Sequence, residues 1–179
     1  MKYISILRGI NVSGKNVIKM DDLKALYESL GFENVQTYIQ SGNVIFDSPP
    51  HPGAEVAKLI RETIAEKYNY QVPVQIRTHR EISEIIANCP YGPVNPATDG
   101  TIVLVTFLSG KPSDIKIAQI QKFVNVPEKL VVRGTEVYIY CPDGYGKSKL
   151  SNNFLEQKFE MEATTRNWKT VLKLKEMSE

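Results

Sequence analysis

The sequence predicts an α+β fold of two tandem ferredoxin-like β-α-β-β-α units, the second incomplete and followed by a C-terminal helix. Three observations lead there. The order strand, helix, hairpin, helix reads once from Lys2 to Tyr70 and again from Thr101 to Phe159. Each hairpin turns on a glycine, at Ser41-Gly42 and at Gly134. Between the two stretches lies 90–100, which holds three prolines and two glycines and is the best boundary in the chain. The implied organisation is an N-terminal half over 1–89 with a trailing helix, a linker over 90–100, and a C-terminal half over 101–179, one domain overall.

The elements follow from pattern. Lys2 to Leu7 is apolar and rich in β-branched residues, a strand, and the polar stretch from Gly9 to Lys19 is a loop. Asp21 and Asp22 open a helix whose stripe is Leu23, Leu26, Tyr27 and Leu30, closed by Gly31. Val35–Ile39 and Asn43–Phe46 flank the first hairpin turn. After Pro49, Pro50 and Pro52, the residues Val56, Leu59, Ile60, Ile64 and Tyr68 recur at helical spacing, and Val72, Val74 and Ile76 alternate as a fourth strand. Thr78 and Glu81 form a capping box that starts a helix carrying Ile82, Ile85 and Ile86.

In the second half, Ile102 to Leu108 is almost continuously apolar, as a strand covered on both faces would be. Ser113 caps a helix with Ile117, Ile120 and Val124, and Leu130–Val132 pairs with Val137–Cys141 around Gly134. Asp143 to Gly146 leads into a helix bearing Leu150, Phe154, Leu155 and Phe159. No closing strand is expected; Thr165 starts a terminal helix with Trp168, Val171 and Leu172. In each half the first and third strands are expected to be parallel central neighbours, so that the loops leaving them open on one edge.

Composition narrows the function classes. The 179 residues are 42% hydrophobic and 23% charged, ordinary for a soluble domain, and a net charge of +2 gives no general attraction to nucleic acid or membrane. Cys89 and Cys141 form no C-x-x-C pair and are too few for a disulfide scaffold, which points to a reducing cytoplasm. Met1 leads straight into a strand, so no signal peptide is expected, and no apolar run is long enough to span a bilayer. The only histidines, His51 and His79, lie in separate loops, and there is no G-x-S-x-G elbow. No metal site is therefore expected; the cofactor and any catalytic residue stay unassigned.

Four loops carry candidate binding residues. Gly9-Ile-Asn-Val-Ser-Gly14-Lys15-Asn16 has the G-x-x-x-x-G-K spacing of a phosphate loop. The helical stripe starts only near Leu23, however, and the sheet looks antiparallel, so a nucleotide-hydrolysing loop is disfavoured. A softer reading has Arg8, Lys15 and Lys19 presenting cations and backbone amides to an anion; the plain alternative is a solvated loop. In Gly144-Tyr145-Gly146-Lys147-Ser148-Lys149, Ser148 fits a helix N-cap, and free N–H groups beside two lysines would suit an anion. In Thr164-Thr165-Arg166-Asn167-Trp168, a basic residue in a first helical turn opposes the helix dipole unless a partner or ligand answers it. Gln40-Ser41-Gly42-Asn43 is explained by a tight turn alone. Tyr138 and Tyr140 alternate onto one strand face, which makes either a base-stacking platform or a packing surface.

Four strings carry a resemblance: Leu7 to Asn16, Tyr38 to Phe46, Tyr145 to Leu150 and Thr165 to Val171. Together they resemble the bacterial domain of unknown function 1697 family, whose members open with L-R-G-I-N-V-G-G-x-N and close with T-x-R-N-W-x-T-V. Ser13 stands where glycine is usual and Lys169 where asparagine is common. The resemblance implies an α+β, ferredoxin-like protein in the bacterial cytoplasm and brings no reaction. Its strings coincide with the candidate loops, at Arg8, Asn11, Lys15, Asn16, Gln40, Ser41, Asn43, Lys147, Ser148, Lys149, Arg166, Asn167 and Trp168.

The leading expectation is a binding protein, or an enzyme of unassigned reaction, for a phosphate-bearing or other anionic ligand. Lys15, Lys147 and Arg166 are expected to neutralise the anion in a shared hollow, with Asn11, Asn16 and Gln40 orienting it. The rivals are single-stranded nucleic-acid binding through Tyr138 and Tyr140, and an interaction or oligomerisation module. No membrane partner is expected.

Overall fold

Alternating apolar residues in the N-terminal strands and apolar stripes on two helices meet to form the core of the first unit. The structure, a computed structural model, describes residues 1–179. By their internal contacts, Met1–Ser83 with Leu174–Glu179 form one unit and Glu84–Lys173 the other.

In the first unit the elements are β1 (Lys2–Leu7), α1 (Met20–Ser29), β2 (Glu33–Tyr38), β3 (Asn43–Asp47), α2 (Gly53–Tyr68) and β4 (Val74–Thr78). Helix α3 (His79–Ala87) follows and carries the chain across the unit boundary. The sheet order is β2-β3-β1-β4, with every neighbouring pair antiparallel. Tyr3, Leu7, Val44, Phe46, Val74 and Ile76 point to one face and pack on Leu23, Leu26 and Tyr27 of α1 and on Val56, Ile60 and Ile64 of α2. Full burial of each such side chain is worth about 1.5–3 kcal/mol, so this layer dominates the unit's stability. Phe32 stacks on Phe46 at 4.4 Å, and Tyr27 meets Phe46 edge-on at 5.3 Å. The Tyr27 hydroxyl has its partner in Ser5, 2.7 Å away. Ile4, Ile6 and Ile45 on the second face are buried as well.

Strands β1 and β3 are central neighbours but run antiparallel, not parallel as expected, with Tyr3 opposite Phe46. The loop leaving β1 therefore lies at the β2–β3 hairpin turn rather than beside the loop leaving β3. The capping box at α3 forms as expected: the Thr78 N–H donates to Glu81 Oε2 at 2.7 Å, and the Glu81 N–H donates to Thr78 Oγ1 at 3.2 Å.

The second unit holds β5 (Val103–Leu108), α4 (Asp114–Gln121), β6 (Lys129–Arg133), β7 (Glu136–Tyr140), α5 (Asn152–Phe159) and β8 (Ala163–Asn167), followed by α6 (Trp168–Met177), whose last residues belong to the first unit. Its sheet order is β6-β7-β5-β8, again antiparallel throughout. Leu104, Leu108, Val137, Ile139 and Ala163 face Ile120 of α4 and Leu155 and Phe159 of α5. All six residues of β5 are buried, as expected of its almost continuous apolar run, Thr106 included. Residues 90–100 lie inside this unit, where the Tyr91 hydroxyl donates to the Tyr138 carbonyl at 2.7 Å.

The second half is thus complete rather than lacking its closing strand. Ala163–Asn167 pairs along β5, with Thr165 opposite Thr106, so Thr165 does not start a helix. Helix α6 begins at Trp168, and Asn167 Oδ1 caps it by accepting from the Thr170 N–H at 2.9 Å. The strand escapes a hydrophobicity reading because only Ala163 is apolar; its two threonines favour a strand by β-branching, and pairing does the rest. It also exposes a repeat hidden in the sequence. Arg77 and Arg166 each precede the residue that caps the next helix, each is 9% exposed, and each donates from Nη1 to the preceding residue's carbonyl, at 2.8 and 2.9 Å. No helix is long and apolar enough to cross a membrane.

Candidate functional site

The structure gathers the candidate residues into two groups, one in each unit. In the first unit, the loop that carries Arg8, Asn11, Lys15 and Asn16 meets the hairpin turn that carries Gln40, Ser41 and Asn43, with Asn11 Nδ2 donating to the Gln40 carbonyl. The antiparallel β1–β3 pairing causes this, and the Leu7 N–H donating to the Gly42 carbonyl at 2.8 Å marks the junction.

The loop between β1 and α1 is shaped by residues with positive φ: Gly9, Asn11, Ser13, Gly14 and Asn16. Asparagine tolerates that region better than other L-residues because its short amide bonds locally. Asn11 uses this fully. Its Nδ2 donates to the carbonyls of Ile18 at 2.9 Å and Gln40 at 3.0 Å, while Oδ1 accepts from the Ile18 N–H at 2.9 Å. Asn16 donates to the Gly9 carbonyl at 3.1 Å. Asn43 is fully buried and donates to the Tyr38 carbonyl and to Ser41 Oγ. These asparagines therefore build the loop. Lys15 closes a tight turn through its N–H to the Val12 carbonyl at 2.9 Å, leaving its ammonium exposed, and the N–H groups of Ser13 and Gly14 at the tip are used by no other backbone group. Helix α1 starts only at Met20, so Lys15 does not sit at its N-terminus.

In the second unit, Lys147, Ser148 and Lys149 share one end of the sheet with Arg166, Asn167 and Trp168. There β7 ends opposite the start of β5, and β8 ends opposite the same strand: Val103 faces Tyr140 and Leu104 faces Asn167. The Tyr145 hydroxyl ties the two segments by donating to Thr165 Oγ1 at 3.3 Å, and Thr165 Oγ1 donates in turn to Asn152 at 2.6 Å.

Ser148 is not a helix N-cap. Tyr145–Lys147 forms a single 3-10 turn that Ser148 ends, and Ser148 Oγ accepts from the Leu150 N–H at 3.1 Å. Helix α5 is capped instead by Ser151, which accepts from the Phe154 N–H. Ser148 also hydrogen-bonds the Cys141 thiol, which partly offsets the burial that raises that thiol's pKa. Arg166 is not in a first helical turn; it lies buried in β8, and burial lowers its guanidinium to about 10, so it stays charged at neutral pH. Trp168 is 3% exposed and is part of the core.

Two hollows lie in this unit. One, about 400 Å³, is walled by Asn125, Glu128, Asp143, Gly144, Lys147 and Lys149. The other, about 740 Å³, includes Tyr91, Tyr140, Val94, Val124 and Lys129 in its walls. Tyr138 does not take part. It is 1% exposed, with its hydroxyl donating to the Ile85 carbonyl at 2.8 Å, so a stacking platform made of Tyr138 and Tyr140 together does not exist. The sequence reading missed Tyr91, Glu128 and Lys129, since nothing local marks a loop tyrosine or two surface charges as lining.

The whole chain is similar in fold to a conserved bacterial protein, SP0830 from Streptococcus pneumoniae, with a TM-score of 0.78, 27% sequence identity, and coverage of 99% of this chain and 98% of that one. No curated protein matches the chain. Residues 1–138 match the family described as "Protein of unknown function (DUF1697)", and with well over half its length so matched the chain belongs to that family.

Proposed function

We propose that the second unit binds a small phosphate-bearing ligand in the hollow beside Lys147 and Lys149. The observation that carries this reading is the hollow itself: about 400 Å³, with two exposed lysines in one wall and the backbone turn at Gly144 between them and Asp143. Neither lysine is held in an ion pair, so both ammonium groups are available to a ligand. A charge-assisted contact from each contributes about 1.5–3 kcal/mol. In the first unit, Lys15 and the N–H groups of Ser13 and Gly14 offer a second, shallower place for an anion, on a loop that Asn11, Asn16 and Asn43 hold in shape. The strand order of each unit supports a ferredoxin-like arrangement for both halves.

The test is a thermal-shift series with phosphate, sulfate, sugar phosphates and nucleotides, followed by titration of the best compound. Lys147→Ala should weaken its binding about tenfold or more with the melting temperature unchanged. Equal affinity in the variant would remove this hollow as the site.

A further inference from the structure

The hollow beside Lys147 is poorly suited to bare phosphate. Its wall sets two carboxylates, Glu128 and Asp143, against its two lysines, so charge alone gives an anion little net attraction. A ligand held there must draw affinity from more than its phosphate and must offer hydrogen-bond donors to the carboxylates. The adjoining groove supplies the missing contacts. Glu128 lines both spaces, and the segment from Asn125 to Val131 walls first one and then the other.

Within the larger groove the aromatic wall is Tyr91 and Tyr140, with ring centres 5.9 Å apart and planes tilted by 49°. Tyr91 is anchored through its hydroxyl to the Tyr138 carbonyl, which fixes the ring. Tyr140 is half-buried, and the Lys129 ammonium sits 5.5 Å from its ring centre. That ring face is thus covered only by an exposed lysine side chain and can be taken by a flat, polarisable ligand group instead. Val94 and Val124 add apolar surface around it.

We propose that the two spaces form one site for a nucleoside monophosphate. The base stacks on Tyr140 beside Tyr91, the ribose hydroxyls donate to Glu128, and the phosphate lies against Lys147 and Lys149. The sequence of chemistries along the walls, aromatic then carboxylate then paired ammonium, is the order of base, sugar and phosphate in such a ligand. A carboxylate between the two ends also fixes direction, since it accepts from vicinal hydroxyls and repels phosphate. This inference rests on the anion-binding reading of the same hollow.

Calorimetric titration of the full chain with adenosine monophosphate, ribose 5-phosphate and adenosine tests it. Adenosine monophosphate should bind about tenfold or more tighter than ribose 5-phosphate, the usual contribution of one stacked base. Tyr140→Leu should erase that margin while leaving ribose 5-phosphate binding intact, which also shows that the variant is folded. Glu128→Gln should remove the preference for adenosine monophosphate over its 2′-deoxy form. Equal binding of adenosine monophosphate and ribose 5-phosphate by the unaltered protein overturns the nucleotide assignment and leaves the anion reading standing. A margin that survives Tyr140→Leu overturns it as well. No binding by any phosphate compound removes both readings together.

Discussion

The loop from Gly9 to Lys19 and the loop from Cys141 to Leu150 are both rich in glycine, lysine and small polar residues, yet they spend those residues differently. In the first, the polar side chains turn inward. Asn11 satisfies three backbone groups, Asn16 a fourth, and several residues hold positive φ to make room for these bonds. In the second, only Gly144 has positive φ, Ser148 and Tyr145 tie the loop down, and Lys147 and Lys149 face a hollow. A motif dense in asparagine and glycine can therefore be pure architecture, because backbone in the left-handed region needs those residues whether or not a ligand is present. Two lysines with no structural task are the better sign of a binding surface.

The contrast can be broken by substitution. Asn11→Ala should cost the most, about 3 kcal/mol, from three lost hydrogen bonds at ~1 kcal/mol each with alanine then strained at positive φ. Urea denaturation measures it, and a cost below about 1 kcal/mol would mean that the loop is not organised by this side chain. Gly42→Ala comes next, at about 2 kcal/mol, because a Cβ there would stand 2.5 Å from Ile10 Cδ1 at a φ of +83°. Gly146→Ala, in the second loop, meets nothing within 4 Å and should stay within about 0.5 kcal/mol of the parent. If the two glycine variants melt alike, the first loop does not press on the hairpin turn at Ile10 in the way the second loop is left open at Gly146. Lys147→Ala should leave stability within about 0.5 kcal/mol, in contrast to Asn11→Ala, its effect appearing only in phosphate-ligand titrations.

A gradual effect appears at high pH. Burial raises the Tyr27 hydroxyl above its ordinary value of 10.0, the Ser5 hydrogen bond only partly opposing it. The folded protein thus keeps this proton where the unfolded chain loses it, so the contribution is full below pH 10 and drains away as pH rises from 10 toward the higher folded value. Tyr27→Phe cannot lose a phenolic proton in either state. Its stability deficit relative to the parent should narrow as pH rises through 10, measured by denaturant midpoints at stepped pH; a constant deficit would contradict the assigned burial.

Much of the fold was legible because its signals are local. The apolar, β-branched stretch Lys2–Leu7, the helical stripes of α1 and α2, the capping box at Thr78 and the apolar run of β5 each report their own structure. Strand β8 was not legible, since Ala-Thr-Thr-Arg-Asn carries almost no apolar pattern and becomes a strand by pairing with β5. The cap at Ser148 looked sound because Ser148 and Ser151 are both good caps, and only the helix start distinguishes them. The candidate residues near Lys147 were named from glycine and lysine content, whereas Tyr91, Glu128 and Lys129 carried no local mark.

By itself the amino-acid sequence determined the order of strands and helices as far as α5, because hydrophobic periodicity and end caps are properties of neighbours along the chain. It also carried the strings that place the chain in its family. Tertiary structure alone decided that neighbouring strands run antiparallel, that Asn11 is consumed inside its loop, and that the segment 125–128 lies against the turn at Gly144 to wall a hollow. Those outcomes depend on which distant groups become hydrogen-bond and packing partners, and satisfaction of buried polar groups is settled across the whole unit rather than within any stretch of its sequence.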